Sequence, residues 1–243
     1  IKLYLNLKKK KVLITGGTSG IGLETLKQFL KEGSQVISIS KDIKNIKKIE
    51  NQLKNLFPNE ILNFYVCDCT NYDTTLDTFN EIYKNHGDID VLVNNIGNGS
   101  GNNDPIPTKN DWKKLFDTNF TSAQHITSVF IKSLLNTNGN IVFVGSIVNK
   151  EVLNAPTPYT VAKSALLSFS KSLASKYGDQ IRVNTVSPGN ILVPEGSWDK
   201  KLKLNRDDIM RYIFDNVPMK RFGLPQEIAS SILFLSSDKA SFV

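Results

Sequence analysis

Short apolar, β-branched runs alternate along the chain with longer stretches in which hydrophobic residues recur every three or four positions. The runs are KVLITGG (11–17), SQVISIS (34–40), ILNFYVCD (61–68), DVLVNNIG (90–97), GNIVFVGS (139–146) and QIRVNTVSPG (180–189). They predict six strands, each covered on both faces, and their alternation with helical segments predicts repeated strand–helix–strand units in a parallel sheet. The expected fold class is α/β: a three-layer, doubly wound parallel sheet in a single domain over residues 1–243.

The helical segments carry their own stops and starts. Ile21, Thr25, Leu26, Phe29 and Leu30 form the buried stripe of a first helix. It ends at Gly33, a residue suited to the left-handed position past a helix terminus. Similar stripes are Ile43, Ile46, Ile49, Leu53 and Leu76, Phe79, Ile82, Tyr83, and residues 111–135 read as one long helix. A last helix starts at Pro225, in the first turn that proline favours, and runs through Ile228, Ile232, Leu233 and Leu235 to about Ser237. No internal repeat, low-complexity tract or linker interrupts this order.

Composition narrows the classes. With 40% hydrophobic and 22% charged residues in 243, the chain has a globular balance. The net charge is +7, yet its lysines are scattered, with one run at Lys8 to Lys11. Without an organised basic stripe or a reading element, no nucleic-acid partner is expected. Residues 1–11, IKLYLNLKKKK, alternate apolar with polar and lack the apolar core of about 7–15 residues that a signal peptide needs. No stretch approaches the roughly 18 apolar residues of a membrane span. Cys67 and Cys69, the only cysteines, are not expected to close a relaxed disulfide. His86 and His125 stand alone, so no metal site is expected, and a reducing cytoplasm is the expected location.

The first candidate chemistry is the turn between strand one and helix one, ITGGTSGIG (14–22). Gly16, Gly20 and Gly22 suit a tight turn, close approach of backbone to a phosphate, and close packing of helix on strand. Following a strand and opening a helix, this is the context in which a glycine-rich turn points to a dinucleotide.

The spacing T-G-x-x-x-G-x-G, together with Tyr159 and Lys163 in a Y-x-x-x-K arrangement, resembles the short-chain dehydrogenase/reductase family in its single-domain subfamily, close to the 3-oxoacyl-(acyl-carrier-protein) reductases. NNIG (94–97) resembles that family's N-N-A-G, with Ile96 in place of alanine, and SPG (187–189) resembles the turn after its sixth strand. The resemblance covers essentially the whole chain. It implies a Rossmann fold and a catalytic tetrad of Asn119, Ser146, Tyr159 and Lys163. It also implies dinucleotide contacts from Gly16, Thr18, Ser19, Gly20, Ile21 and Gly22, from Ser40 and Lys41, from Asp68 and Cys69, from Asn95 and Gly97, and from Pro188, Gly189 and Ile191, besides Tyr159 and Lys163. The family's nicotinamide-contacting threonine is replaced by Val193, and its final glycine-containing strand has no counterpart before Val243.

Ser40 holds the place where the family's NAD enzymes carry an acid, and the cation Lys41 follows. A carboxylate there would bind the ribose 2′-hydroxyl and repel a 2′-phosphate. NADP(H) is therefore the expected cofactor and NAD(H) the alternative, with Asp42 counting against the first. Tyrosine is a poor acid or base near neutral pH, its ordinary pKa being about 10. Lys163, four residues on, shares its helix face, and the expected effect of the ammonium is to lower the pKa of Tyr159. Ser146 would hydrogen-bond the substrate oxygen, and the resemblance implies that Asn119 holds a water linking Lys163 to solvent.

The expected function is hydride transfer between a nicotinamide and a small-molecule carbonyl or secondary alcohol, with a 3-oxoacyl thioester as the implied substrate class. A keto-sugar oxidoreductase of surface polysaccharide biosynthesis is the alternative, because PGNILVPEGSW (188–198) is similar to branches of the family found there. A non-catalytic dinucleotide sensor is the third reading, opposed by the complete tetrad. The substrate region is expected across 190–219 and 98–107, with Trp198 either lining the pocket or pinning its loop. Homodimers or homotetramers are implied through the helices carrying Asn119 and Tyr159, with Ser164, Ala165, Ser168 and Ser172 permitting close approach.

Overall fold

The computed structural model describes residues 5–101, 104–151 and 153–243. The amino-terminal expectation thus lies partly, and the loop 98–107 in its centre, outside the described residues. Six strands, β1 (Lys11–Thr15), β2 (Gln35–Ser40), β3 (Leu62–Val66), β4 (Val91–Asn94), β5 (Asn140–Val144) and β6 (Arg182–Val186), form one sheet in the order β3-β2-β1-β4-β5-β6. Every pairing is parallel, for example Leu13 against Ile37 on one side and Leu92 on the other.

The helices are α1 (Gly20–Lys31), α2 (Ile43–Leu56), α3 (Tyr72–His86), α4 (Lys109–Phe116), α5 (Ser122–Asn136), α6 (Thr157–Tyr177), α7 (Ser197–Leu204), α8 (Arg206–Asn216) and α9 (Pro225–Ser236). They bury the two sheet faces in separate cores. Leu13, Ile37, Leu92, Ile141 and Phe143 pack with Ile82 of α3, Phe130 and Leu134 of α5 and Leu166 of α6. Val12, Ile14, Val36, Val91, Val93 and Val142 pack on the other face with Leu26, Phe29 and Leu30 of α1 and Ile232 and Leu233 of α9. Odd and even positions of β1 thus feed opposite cores, as the pleat requires.

Four expectations need correction, the first being Ile43, which is exposed at the start of α2 instead of joining the buried stripe of Ile46, Ile49 and Leu53. The outer strands β3 and β6 are only half buried, because an edge strand has a neighbour on one side alone. The stripe expected on α3 is shifted: Thr75, Thr78 and Ile82 are buried, while Leu76 and Tyr83 are exposed. The threonines reach that face because their hydroxyls bond back to helix carbonyls, Thr75 to Asn71 and Thr78 to Thr74. The single helix expected over 111–135 is instead α4 and α5 joined by one π-turn, Asp117–Thr121. Elsewhere the expected ends hold: Gly33 has φ +73° just past α1, and α9 begins on Pro225.

Candidate active site

Strand order reverses between β1 and β4, and a parallel sheet binds ligands beyond the carboxyl ends of its strands at such a point. A cleft of about 660 Å³ opens there. Gly16, Thr18, Ser19, Gly20 and Ile21 line it from the first turn, and Ser40, Lys41, Asp68 and Cys69 from the ends of β2 and β3. Asn95 and Gly97 follow β4, Ser146 follows β5, Tyr159 and Lys163 come from α6, and Pro188, Gly189 and Ile191 follow β6. Gly22 and Asn119 stand behind this lining, each packed against it.

The first turn is held by its neighbours. Gly16 has φ +71° and donates its amide to Ile39 O at 2.7 Å. Asn95 Nδ2 donates to Thr15 O and Gly16 O, while the Thr15 hydroxyl accepts from the amides of Asn95 and Ile96. A β-carbon at Gly22 would lie 2.3 Å from Gly16 O and 2.4 Å from Asn95 Nδ2. Gly22→Ala is therefore expected to displace the start of α1 and weaken dinucleotide binding at least about tenfold, roughly 1.4 kcal/mol, in a fluorescence titration. Unchanged affinity would contradict that packing role.

The turn fits a dinucleotide phosphate. Asp42, Asn71 and Thr108 cap α2, α3 and α4 with side-chain oxygens, whereas Ser19 gives α1 no such cap and its first turn carries no acid. Free first-turn amides and the helix dipole thus face a cleft, the arrangement that binds anions. Beside it, Thr18 and Ser40 hydroxyls are 3.2 Å apart and Lys41 is exposed. Burial pushes the Asp68 carboxyl up, but the Thr70 hydroxyl and amide, with the Lys41 charge, hold it below its ordinary value. Cys67 and Cys69 are both buried free thiols, not joined in a disulfide.

At the other end, α6 places Tyr159 and Lys163 one turn apart on one face. Lys163 is 3% exposed, and its ammonium donates to Val144 O at 2.8 Å. Burial lowers its pKa from 10.5 to about 8. The pKa of Tyr159 is not lowered as expected but raised, because burial outweighs the hydrogen bond with Ser146 that pulls it down. A β-carbon at Gly97 would sit 3.0 Å from both Lys163 Nζ and Asn119 Oδ1, so Gly97 is the narrow wall between them. One at Gly99 would sit 3.5 Å from the Tyr159 ring, which rests against that loop.

Asn119 is completely buried within the π-turn. Its Oδ1 accepts from the Asn98 amide at 2.9 Å, and its Nδ2 donates to Asn98 O and Leu115 O. The π-turn, a feature common at functional sites, rotates this side chain inward to grip the loop after β4. Ser146 is buried at the start of a short 3₁₀ turn, Ile147–Asn149, where its hydroxyl accepts from the Val148 amide.

Several lining residues escaped the sequence reading. Lys114, Thr118 and Ser122 line the cleft together, and their i, i+4, i+8 spacing was the available signal. Within the substrate region expected over 190–219, Glu195 and Lys200 line the cleft, Glu195 with φ +60° in a turn closed by Gly196 N to Val193 O. Val193 lies against the glycine turn, its Cγ1 3.1 Å from where a Gly20 β-carbon would be. Trp198 lines the cleft and also pins its loop, stacking on Tyr212 with ring centroids 5.6 Å apart and meeting Phe222 edge-on.

Comparison with known proteins agrees with this geometry. A family model described as enoyl-(acyl carrier protein) reductase matches residues 16–243. A 3-oxoacyl-(acyl-carrier-protein) reductase of Buchnera aphidicola is 33% identical over 241 residues, 98% of this chain and 94% of that protein. An L-fucose dehydrogenase of Bos taurus is 30% identical over 94% of this chain and 83% of its own. Among solved structures, L-sorbose reductase from Gluconobacter frateurii complexed with NADPH and L-sorbose has a TM-score of 0.90 and 28% identity, covering 99% of this chain and 94% of that one.

Proposed function

The chain belongs to the short-chain dehydrogenase/reductase family, and from that premise we propose that residues 1–243 act as one catalytic unit transferring a hydride between NADP(H) and a carbonyl or secondary alcohol, a 3-oxoacyl thioester being the substrate class. The observation that carries the reading is the convergence of Ser146, Tyr159 and Lys163 in the cleft that also holds the uncapped start of α1.

When bound, the dinucleotide supplies or accepts the hydride. Gly16, Thr18, Ser19, Gly20, Ile21 and Gly22 would hold its phosphates, and Ser40, Lys41, Asp68 and Cys69 its adenosine end. Asn95, Gly97, Pro188, Gly189 and Ile191, with Lys163, would hold the remainder. The raised pKa of Tyr159 keeps its phenol protonated through neutral pH, ready to give a proton to the substrate oxygen as that oxygen gains charge. Ser146 donates a second hydrogen bond to the same oxygen. The Lys163 ammonium, immobilised on Val144 O, stabilises the phenolate that remains. A water serving Lys163 would pass Asn119 at Gly97, while Asn119 itself keeps Asn98 in place.

Consumption of NADPH with a short 3-oxoacyl thioester tests the reading, and absence of turnover with any carbonyl despite NADPH binding would refute it. A second reading, keto-sugar reduction, is favoured by the polar lining of the outer cleft, where Asn98, Ser100, Glu195, Ser197 and Lys200 outnumber Ile191, Val193 and Trp198. A ketose run beside the thioester separates the two. The cofactor preference rests on Lys41. Lys41→Glu is expected to cost NADPH at least about tenfold in affinity by setting like charges together, about 1.4 kcal/mol, and to affect NADH little. Equal losses for both would overturn the assignment.

Association into homodimers or homotetramers through α5 and α6 belongs to the same proposal. Ser164, Ser168 and Ser172 do not pack within the subunit; they are exposed along α6, beside Val161 at 41% exposure. A location in the cytoplasm is proposed from the two free thiols. Among the described residues no helix is long and apolar enough to cross a membrane.

A further inference from the structure

The 3₁₀ turn that begins at Ser146 is three residues long, too short to be stable by itself. Its position is set from outside. Gly145 N donates to Val186 O at 2.7 Å and Ile147 N to Pro188 O at 3.0 Å, which carries the β5–β6 pairing past the ends of both strands. Among the described residues, the side-chain tie across this junction is Asn149 Nδ2 donating to Ser187 Oγ at 3.2 Å. The two side chains close over Gly145: a β-carbon there would lie 3.0 Å from Ser187 Oγ and 3.4 Å from Asn149 Nδ2. Among the described residues, Asn149 Oδ1 is buried without a hydrogen-bond partner.

We propose that Asn149 and Ser187 form a positioning pair that locks the Ser146 turn to the Pro188–Gly189 turn, fixing the Ser146 hydroxyl at the reacting carbonyl. Neither side chain lines the cleft, so neither touches substrate. Both act through backbone. Ser146 lies three residues before Asn149, and Pro188 and Gly189 directly follow Ser187, so this hydrogen bond reinforces the two backbone bonds that set the spacing of two cleft walls. Displacing a catalytic group by about 1 Å costs up to a hundredfold in rate, and a partial release of this tie is expected to cost about tenfold.

The inference rests on the reductase reading, and its test separates the two. Asn149→Ala, Ser187→Ala and the double variant are compared for kcat, KM, NADPH binding and amide hydrogen exchange over residues 146–150. Each single variant is expected to lower kcat about tenfold with KM and NADPH affinity within about twofold. The double variant is expected to match either single, and exchange at Ile147 and Val148 to quicken in all three. Additive losses, or unchanged kcat and unchanged exchange, would overturn the pairing. Rate losses that merely follow a falling unfolding temperature, with KM and NADPH affinity moving too, would reduce the pair to a packing role and also overturn it. If the wild type reduces no carbonyl, the reductase reading fails, while the exchange measurement still decides whether the tie exists.

Discussion

Replacing Tyr159 with phenylalanine is expected to lower kcat for carbonyl reduction about a thousandfold, within the span of about 10² to 10⁴ that general acid catalysis supplies, while leaving NADPH affinity within about twofold. The ring is what rests on the Gly99 loop, and phenylalanine keeps it, so the fold and the cleft wall survive. What is lost is the hydroxyl assigned to hand over the proton. Ser146 cannot replace it, because a serine hydroxyl is a far weaker acid than a phenol. A thousandfold loss corresponds to about 4 kcal/mol of transition-state stabilisation. Steady-state kinetics with a short 3-oxoacyl thioester, beside a fluorescence titration of NADPH, measure both halves. A variant retaining more than a tenth of the activity would remove Tyr159 from the role assigned to it.

The second large effect comes from Lys163 and has opposite signs in activity and stability. Lys163→Met is expected to lower kcat at least about a hundredfold, as the ammonium that stabilises the phenolate disappears. The same change is expected to stabilise the fold at neutral pH. The amine is buried with a pKa of about 8, against 10.5 when solvated, which amounts to a penalty of about 3 kcal/mol for folding with the charge in place. Losing the charge-assisted hydrogen bond to Val144 O returns about 2 kcal/mol of that, so the net gain is about 1 kcal/mol. Between about pH 8 and pH 10.5 the unfolded wild type binds more protons than the folded one, so wild-type stability rises with pH there. The advantage of the variant is thus full below about pH 8 and shrinks to nothing, then reverses slightly, as pH approaches 10.5. Denaturant unfolding of both proteins at pH 7 and pH 10 reads it directly. A variant less stable than wild type at pH 7 would mean that the buried charge carries no such cost. In activity, the same ionisation predicts that wild-type reduction weakens as pH rises through about 8.

Much of this arrangement is legible in the sequence. The six apolar runs became six strands because their side chains must fill two cores, and Gly33 and Pro225 marked helix ends through backbone geometry alone. Gly16 was legible from its turn between a strand and a helix, and Ser146, Tyr159 and Lys163 as a set through the joint spacing that resembles the family's tetrad. What was not legible depended on contacts between distant segments. The π-turn leaves no mark on a hydrophobic pattern, since a single wide turn shifts the helix face without breaking its period. The stripe on α3 was misplaced because threonines that satisfy their own hydroxyls can be buried where leucine would be expected. The pKa of Tyr159 was misjudged because spacing shows the neighbouring charge but not the depth of burial opposing it. Asn149 and Ser187, 38 residues apart, carry no local signal of their contact.

The central claim is that this cleft moves a hydride between a nicotinamide and a carbonyl carbon. It is tested most directly with NADPH deuterated at the transferring position of its nicotinamide, a short 3-oxoacyl thioester or a ketose as acceptor, and mass analysis of the alcohol formed. The account predicts one deuterium on the carbinol carbon of the product, in wild type and in the slow turnover of Tyr159→Phe alike. An alcohol carrying no deuterium, or bound NADPH that reduces neither acceptor, would contradict it.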